Sequence, residues 1–181
     1  NPSGSVSVAM QPTPLAEAGD IQIFEKDVVN LQPGRWLTDQ LISFYFEHLV
    51  GRSAVAAGTL MLETHIVYMA STLQDPATLR EILSVSTKKG MPPMTEQMRC
   101  SELVLLPIND KSDPDALDGG GHWSLLAYRR GREGASSRFE HYDSCNGANA
   151  THARSVAKCL LELLDPGARG ATTQLVAMKT P

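Results

Sequence analysis

Three short apolar runs crowd into residues 103–142, and they constrain the fold more than any other feature of this 181-residue chain. Leu103 to Ile108 (LVLLPI) is continuously apolar, the mark of a buried strand. His122 to Tyr128 (HWSLLAY) and Arg138 to Tyr142 (RFEHY) are two further strands, joined by the charged turn RRGREGASS. The polar, Gly-rich stretch Asn109 to Gly121 connects the first to the second. Short strands joined by polar turns build an antiparallel sheet with a face to be covered.

The cover is predicted from helical periodicity. From Trp36 onward, Leu37, Leu41, Ile42, Tyr45, Phe46 and Leu49 share one face, with Thr38 or Asp39 as cap and Gly51 as stop. A second helix is expected within Met61 to Leu73. Asp75-Pro76 opens a third, whose buried face is Leu79, Ile82 and Leu83. Lys88 to Cys100 reads as a loop. Thr151 to Leu164 is amphipathic, with Val156, Cys159, Leu160 and Leu163 on one side and Asp165-Pro166-Gly167 as its end. Gln174 to Met178 (QLVAM) is a last strand. Helices first, then strands joined by tight turns, give the class α+β. Residues 1–20, rich in Pro, Ser, Gly and Ala, read as a disordered lead-in to a single domain over 21–181.

Composition narrows the function classes. The chain is 42% apolar and 20% charged, an ordinary globular mix. Its net charge of -4 argues against a general nucleic-acid binder. No run approaches the ~18 apolar residues of a membrane span. Cys100, Cys145 and Cys159 form no CxxC pair and no even framework, which fits a reducing compartment, cytoplasm or nucleus. The chain opens on Asn1 rather than Met and stops at Pro181 straight after a strand, so it is expected to be a fragment.

One pair of residues stands out. His122 opens its strand, Asp143 closes the next, and their midpoint falls in the turn between Arg132 and Glu133. A hairpin centred there would set them opposite each other, with Cβ atoms about 5 Å apart. A carboxylate so placed can hold an imidazole in one tautomer and stabilise its charged form. A structural His–Asp bond at a sheet end has the same spacing, and spacing alone does not choose between the two.

The block GGGHWSLLAYRR…FEHYDS resembles the sentrin/ubiquitin-like-modifier protease family, cysteine proteases that process or remove SUMO-type and Nedd-type modifiers. GRWLTDQLISFYFEHLV is similar to that family's helix entry, and LVLLPIND to the strand leading to its catalytic His. The three blocks keep the family's order across about residues 20–181, and their detail leans to the deneddylase branch. The resemblance implies a papain-like or adenain-like fold, with helices on a mixed, mainly antiparallel sheet. It implies His122 as general base and acid, and Asp143 as its orienter. Trp36 and Trp123 would roof a narrow channel that only the Gly-Gly tail of a modifier could thread. Asp39 would face a basic residue near that tail. The partner would be a ubiquitin-like modifier or its conjugate, the protein a monomer, and no cofactor is called for.

The family places its nucleophile in a D-C-G sequence after a Gln that follows the last strand, whereas this chain stops at Lys179-Thr180-Pro181. Cys100 reads as a loop residue, Cys159 as core, and Cys145 as a turn thiol or bystander. The chain is therefore expected to lack the nucleophile and to be inactive as it stands. Cys145 with His141 and His122 matches no standard zinc spacing, and no metal is expected. Two other readings stay open: a non-catalytic modifier-binding module, and an acyltransferase on the same fold. His48, His65 and His152 lie on expected helices without a partner that the sequence names, and Arg129-Arg130-Gly131-Arg132 reads as a solvated turn.

Overall fold

Leu103–Asn109 (β4) is an inner strand of a five-stranded sheet in the computed structural model of the chain, which describes residues 12–52, 57–86, 90–111, 120–132, 135–168 and 174–180. The expected readings of 1–11, of Lys88 and Lys89, of 112–119 and of Glu133 lie outside those residues. The chain divides into two compact units, within residues 1–51 and 52–181.

In the first unit, β1 (Ala16–Ala18) and β2 (Ile21–Ile23) form an antiparallel hairpin. Ala16–Ala18 lies inside the stretch expected to be disordered; pairing with Ile21–Ile23 orders it. A short helix, α1 (Glu25–Val28), follows. The expected long helix is α2 (Asp39–Gly51), which starts at Asp39, leaves Trp36 and Leu37 before it, and buries Leu41. Thr38 accepts a hydrogen bond from the Leu41 N–H through Oγ1 at 3.4 Å.

In the second unit the sheet order is β3 (Thr59–Met61), β4, β5 (Trp123–Arg129), β6 (Arg138–Tyr142) and β7 (Leu175–Met178). The outer pairs β3–β4 and β6–β7 are parallel, the inner ones antiparallel. Met61, expected in a helix, ends β3 instead, and α3 begins at Thr64. Pro107 stands beyond the last β3 partner of β4, so its missing N–H removes no bond to that strand.

One face of the sheet is covered by α3 (Thr64–Leu73), α4 (Pro76–Leu83), α5 (Met94–Cys100) and α6 (Ala150–Leu164). Alternate residues Val104, Leu106 and Ile108 of β4, with Leu126, Tyr128 and Phe139, meet Ile66, Ala70, Leu79, Met98, Val156, Leu160 and Leu163. Each fully buried aliphatic side chain contributes about 1.5–3 kcal/mol. Asp75 caps α4 by accepting from the Ala77 N–H at 3.0 Å, as its place before Pro76 predicts. Ile82, expected inside, is exposed, because α4 turns only the Leu79 and Leu83 side to the core.

Two expectations fail here. The Lys88–Cys100 loop contains α5, with Cys100 its last residue; Met94 and Met98, four apart, supply the helix's inward side. Arg130 is not a solvated turn residue. Its guanidinium donates to the carbonyls of Ser101, Met98 and Leu164, tying the ends of α5 and α6 to the sheet.

Candidate active site

The hairpin of β5 and β6 sets the site, but not in the expected register. Leu125 pairs with Tyr142 and Arg129 with Arg138, so the alignment is offset by two residues from one that opposes His122 and Asp143. The offset follows from where the strands end, β5 at Arg129 and β6 beginning at Arg138. Carried past the strand ends, it brings position 145, not 143, level with position 122. His122 precedes β5, Asp143 follows β6, and the two side chains reach each other diagonally.

They still meet. His122 Nε2 lies 2.6 Å from Asp143 Oδ1, with the His side chain 12% exposed and the Asp side chain 3%. This bond occupies one ring nitrogen and leaves Nδ1 for a second partner. Asp143 is held by main chain as well. Oδ1 accepts from the Cys145 N–H at 2.8 Å and Oδ2 from the Asn149 N–H at 2.9 Å. Burial works to raise its pKa; the N–H groups of Asn149 and Cys145 and the His122 ring outweigh it and hold the carboxyl below its ordinary value.

The approach to His122 is fastened by Asp110, whose Oδ1 accepts from the N–H groups of Gly121 at 2.7 Å and His122 at 3.1 Å. Gly120 has a positive φ of 93°, and a Cβ there would run into the Asn109 side chain, so the Gly-rich sequence is needed at this position.

The expectation that no cysteine belongs to the site is overturned for Cys145. Its Sγ, a ring nitrogen of His122 and a carboxylate oxygen of Asp143 all lie within 4.8 Å of one another. The register offset and the turn after Asp143, with Asn146 and Gly147 at positive φ, bring it back to the pair. Cys145 is exposed, and a missing thiol no longer argues for inactivity. Cys159 is core, as expected: burial first, and Asp75 second, push its pKa up to about 11.

Among the described residues, His122, Asp143 and Cys145 also form the group whose donor atoms could ligate a metal ion. That group differs from the zinc set weighed from the sequence, because His141 turns its Nε2 to Ser124 Oγ at 2.9 Å. Burial pushes the His141 pKa below its ordinary 6.5; Asp143 opposes this, and Arg154 and His122 add to it.

Trp123 is the first residue of β5, next to His122. Trp36 and Asp39 belong to the first unit: Trp36 is 63% exposed just before α2, and Asp39 is the first residue of that helix. Sequence reasoning passed over Asn149, fully buried at the N-terminus of α6. The only signal for it was an Asn before a helical run, which reads as an ordinary cap.

No family model matches the chain. It is 30% identical over 164 residues to sentrin-specific protease 8 of Rattus norvegicus, an alignment covering 90% of this chain and 67% of the relative. It is 27% identical over 178 residues to the probable sentrin-specific protease 8 of Dictyostelium discoideum, covering 92% and 66%. It is 28% identical over 150 residues to NEDD8-specific protease 1 of Arabidopsis thaliana, covering 82% and 59%. The chain thus spans about two-thirds of the length of the first two relatives and 59% of the third.

Proposed function

The chain belongs to the family of sentrin-specific and NEDD8-specific proteases, and on that premise we propose that it is a cysteine-type peptidase cleaving after the C-terminal Gly-Gly of a ubiquitin-like modifier, of Nedd or SUMO type. The observation that carries the reading is the 2.6 Å bond between His122 Nε2 and a nearly buried Asp143, with a thiol beside it.

The chemistry follows from the free nitrogen. His122 Nδ1 takes the proton of a thiol, and the thiolate attacks the carbonyl carbon of the terminal glycine. The imidazolium then gives that proton to the leaving amine as the C–N bond breaks, leaving a thioester. Water, deprotonated by the same ring, attacks the thioester carbonyl; acid is released and the thiol restored. Asp143 fixes the tautomer with Nε2 protonated and stabilises the imidazolium. Cys145 is the thiol within 4.8 Å of the pair among the described residues, while the family pattern carries one in a D-C-G sequence after the last strand. Trp123, beside the base, would contact the Gly-Gly tail, and Trp36 and Asp39 are each proposed as modifier-binding residues of the first unit. Residues 21–181 would form the catalytic domain, working in the reducing cytoplasm or nucleus.

The test uses the full-length protein and SUMO-type and Nedd-type modifiers carrying an electrophilic C-terminus. A covalent adduct lost in His122→Ala supports the reading, and the modifier that reacts names the branch. Peptide mapping, with Cys145→Ser alongside, identifies the nucleophile. Reversible binding without an adduct would overturn the peptidase in favour of a modifier-binding module. Adduct formation with acyl transfer to an added amine, and no hydrolysis, would favour the acyltransferase.

A further inference from the structure

Asn149 occupies the N-terminal cap position of α6, where an Asn side chain ordinarily accepts from the first free N–H groups of its helix. Here it makes no such bond. The side chain turns away, and its Nδ2 donates to the carbonyl of His122 at 3.1 Å and to that of Ile108 at 3.2 Å. Two carbonyl acceptors fix which end of the amide is nitrogen. The backbone N–H of the same residue donates to Asp143 Oδ2. Asn149 is fully buried, and its Oδ1 has no partner among the described residues. Burying an amide and leaving half of it unpaired is costly, so a cap alone does not account for the arrangement.

We propose that Asn149 is a positioning residue for the reaction: its side chain fixes the main chain of His122 to β4 while its backbone fixes the Asp143 carboxylate, so that one residue sets the base and its orienter relative to each other. The geometry explains why this is needed. His122 and Asp143 both lie past the ends of their strands, where the ladder no longer holds them. Asn149 ties three pieces of chain together at that point: the end of β4, the start of β5 and the turn after β6. The proposal rests on reading His122 as the base.

The experiment compares Asn149→Ala and Asn149→Asp with Leu163→Ala, a core truncation on the same helix, in the full-length protein. Asn149→Asp keeps the shape but has no amide donor, and it serves if the alanine variant does not fold. The first measurement is the low-field proton NMR signal of the His122–Asp143 bond, which needs no substrate. It is expected to persist in Leu163→Ala and to broaden or vanish in the Asn149 variants. The second is hydrolysis of a modifier bearing a C-terminal fluorogenic amide. The Asn149 variants should lose about 10²-fold in kcat with KM little changed, and the acid limb of their kcat/KM profile should shift. Leu163→Ala should keep the wild-type pH profile. An unchanged low-field proton and pH profile in the Asn149 variants would overturn the proposal, leaving them equivalent to the core truncation. If the wild-type protein hydrolyses no modifier, the peptidase reading fails, and the low-field proton still decides whether Asn149 holds the pair.

Discussion

Glu140 and Asp143 are nearly buried carboxylates on one short stretch of chain, and they are kept ionised by opposite means. Burial works to raise the pKa of Glu140, but Arg129, Arg138 and Tyr142 hold it below the ordinary value. Arg129 Nε lies 2.6 Å from one oxygen and Arg138 Nη2 2.7 Å from the other, with the Tyr142 hydroxyl donating at 3.0 Å. Two fixed cations already neutralise that charge. Asp143 is surrounded by neutral N–H donors and a single imidazole. Its charge is solvated by the protein without being cancelled, so it remains available when His122 takes up a proton. The same functional group at the same depth is structural in one case and, on the reading of His122 as base, catalytic in the other, and the charge of the donors makes the difference.

Asp143→Asn should break the comparison most strongly. With its amide nitrogen turned to His122 it keeps the bond from the Asn149 N–H, gives up the one from Cys145, loses the charge and inverts the tautomer of His122, so kcat should fall about 10³–10⁴-fold in steady-state hydrolysis of the modifier substrate. Glu140→Ala should leave kcat in place and lower stability by about 1–3 kcal/mol in urea denaturation, because two arginines lose their acceptor. An equal loss of kcat in both variants would erase the distinction.

Acid unfolding sharpens it further. Both carboxyls titrate lower in the folded chain than in the unfolded one. The stability each contributes is full above the unfolded value and is lost as pH falls through the folded one. Replacing either by its amide should reduce the acid-unfolding slope by about one proton, measured by denaturation between about pH 5 and 2. His141 gives the smallest effect, with different bookkeeping. Its folded pKa lies below the ordinary 6.5, so the unfolded chain takes up the proton first as pH drops. Stability should decline from about pH 6.5 downward until the folded ring titrates, and His141→Gln should flatten the thermal melting temperature over that interval.

The strands of the hairpin were legible as short apolar runs bounded by polar turns, and the amphipathic α6 because its apolar residues repeat at the helical period. Asp75 before Pro76 was legible because its cap chemistry is local. β3 was not, since three residues carry no period and its partner, β4, lies far along the chain. α5 was hidden by Pro92 and Pro93, which read as loop residues, although Pro93 stands just before the helix where its missing N–H does no harm. His122 and Asp143 were paired correctly from symmetry about a turn, yet in the wrong register, since sequence does not show how much of a connection is strand. Cys145 was missed for the same reason, and Asn149 because its side chain declines the local bond that its position advertises.

The two-residue offset gives the connection over 130–137 an influence on chemistry at the far end of the hairpin. A slip of one residue would turn Leu126 and Phe139 out of the core, and the whole apolar face resists it. A slip of two preserves both faces while carrying Cys145 away from His122 and Asp143 level with it. Sidedness alone does not forbid that slip; the packing of particular neighbours, such as Tyr128 against Phe139, does. A change of pairing by two residues is thus the slip that could silence the pair at the end of the hairpin while leaving its apolar face on the core side.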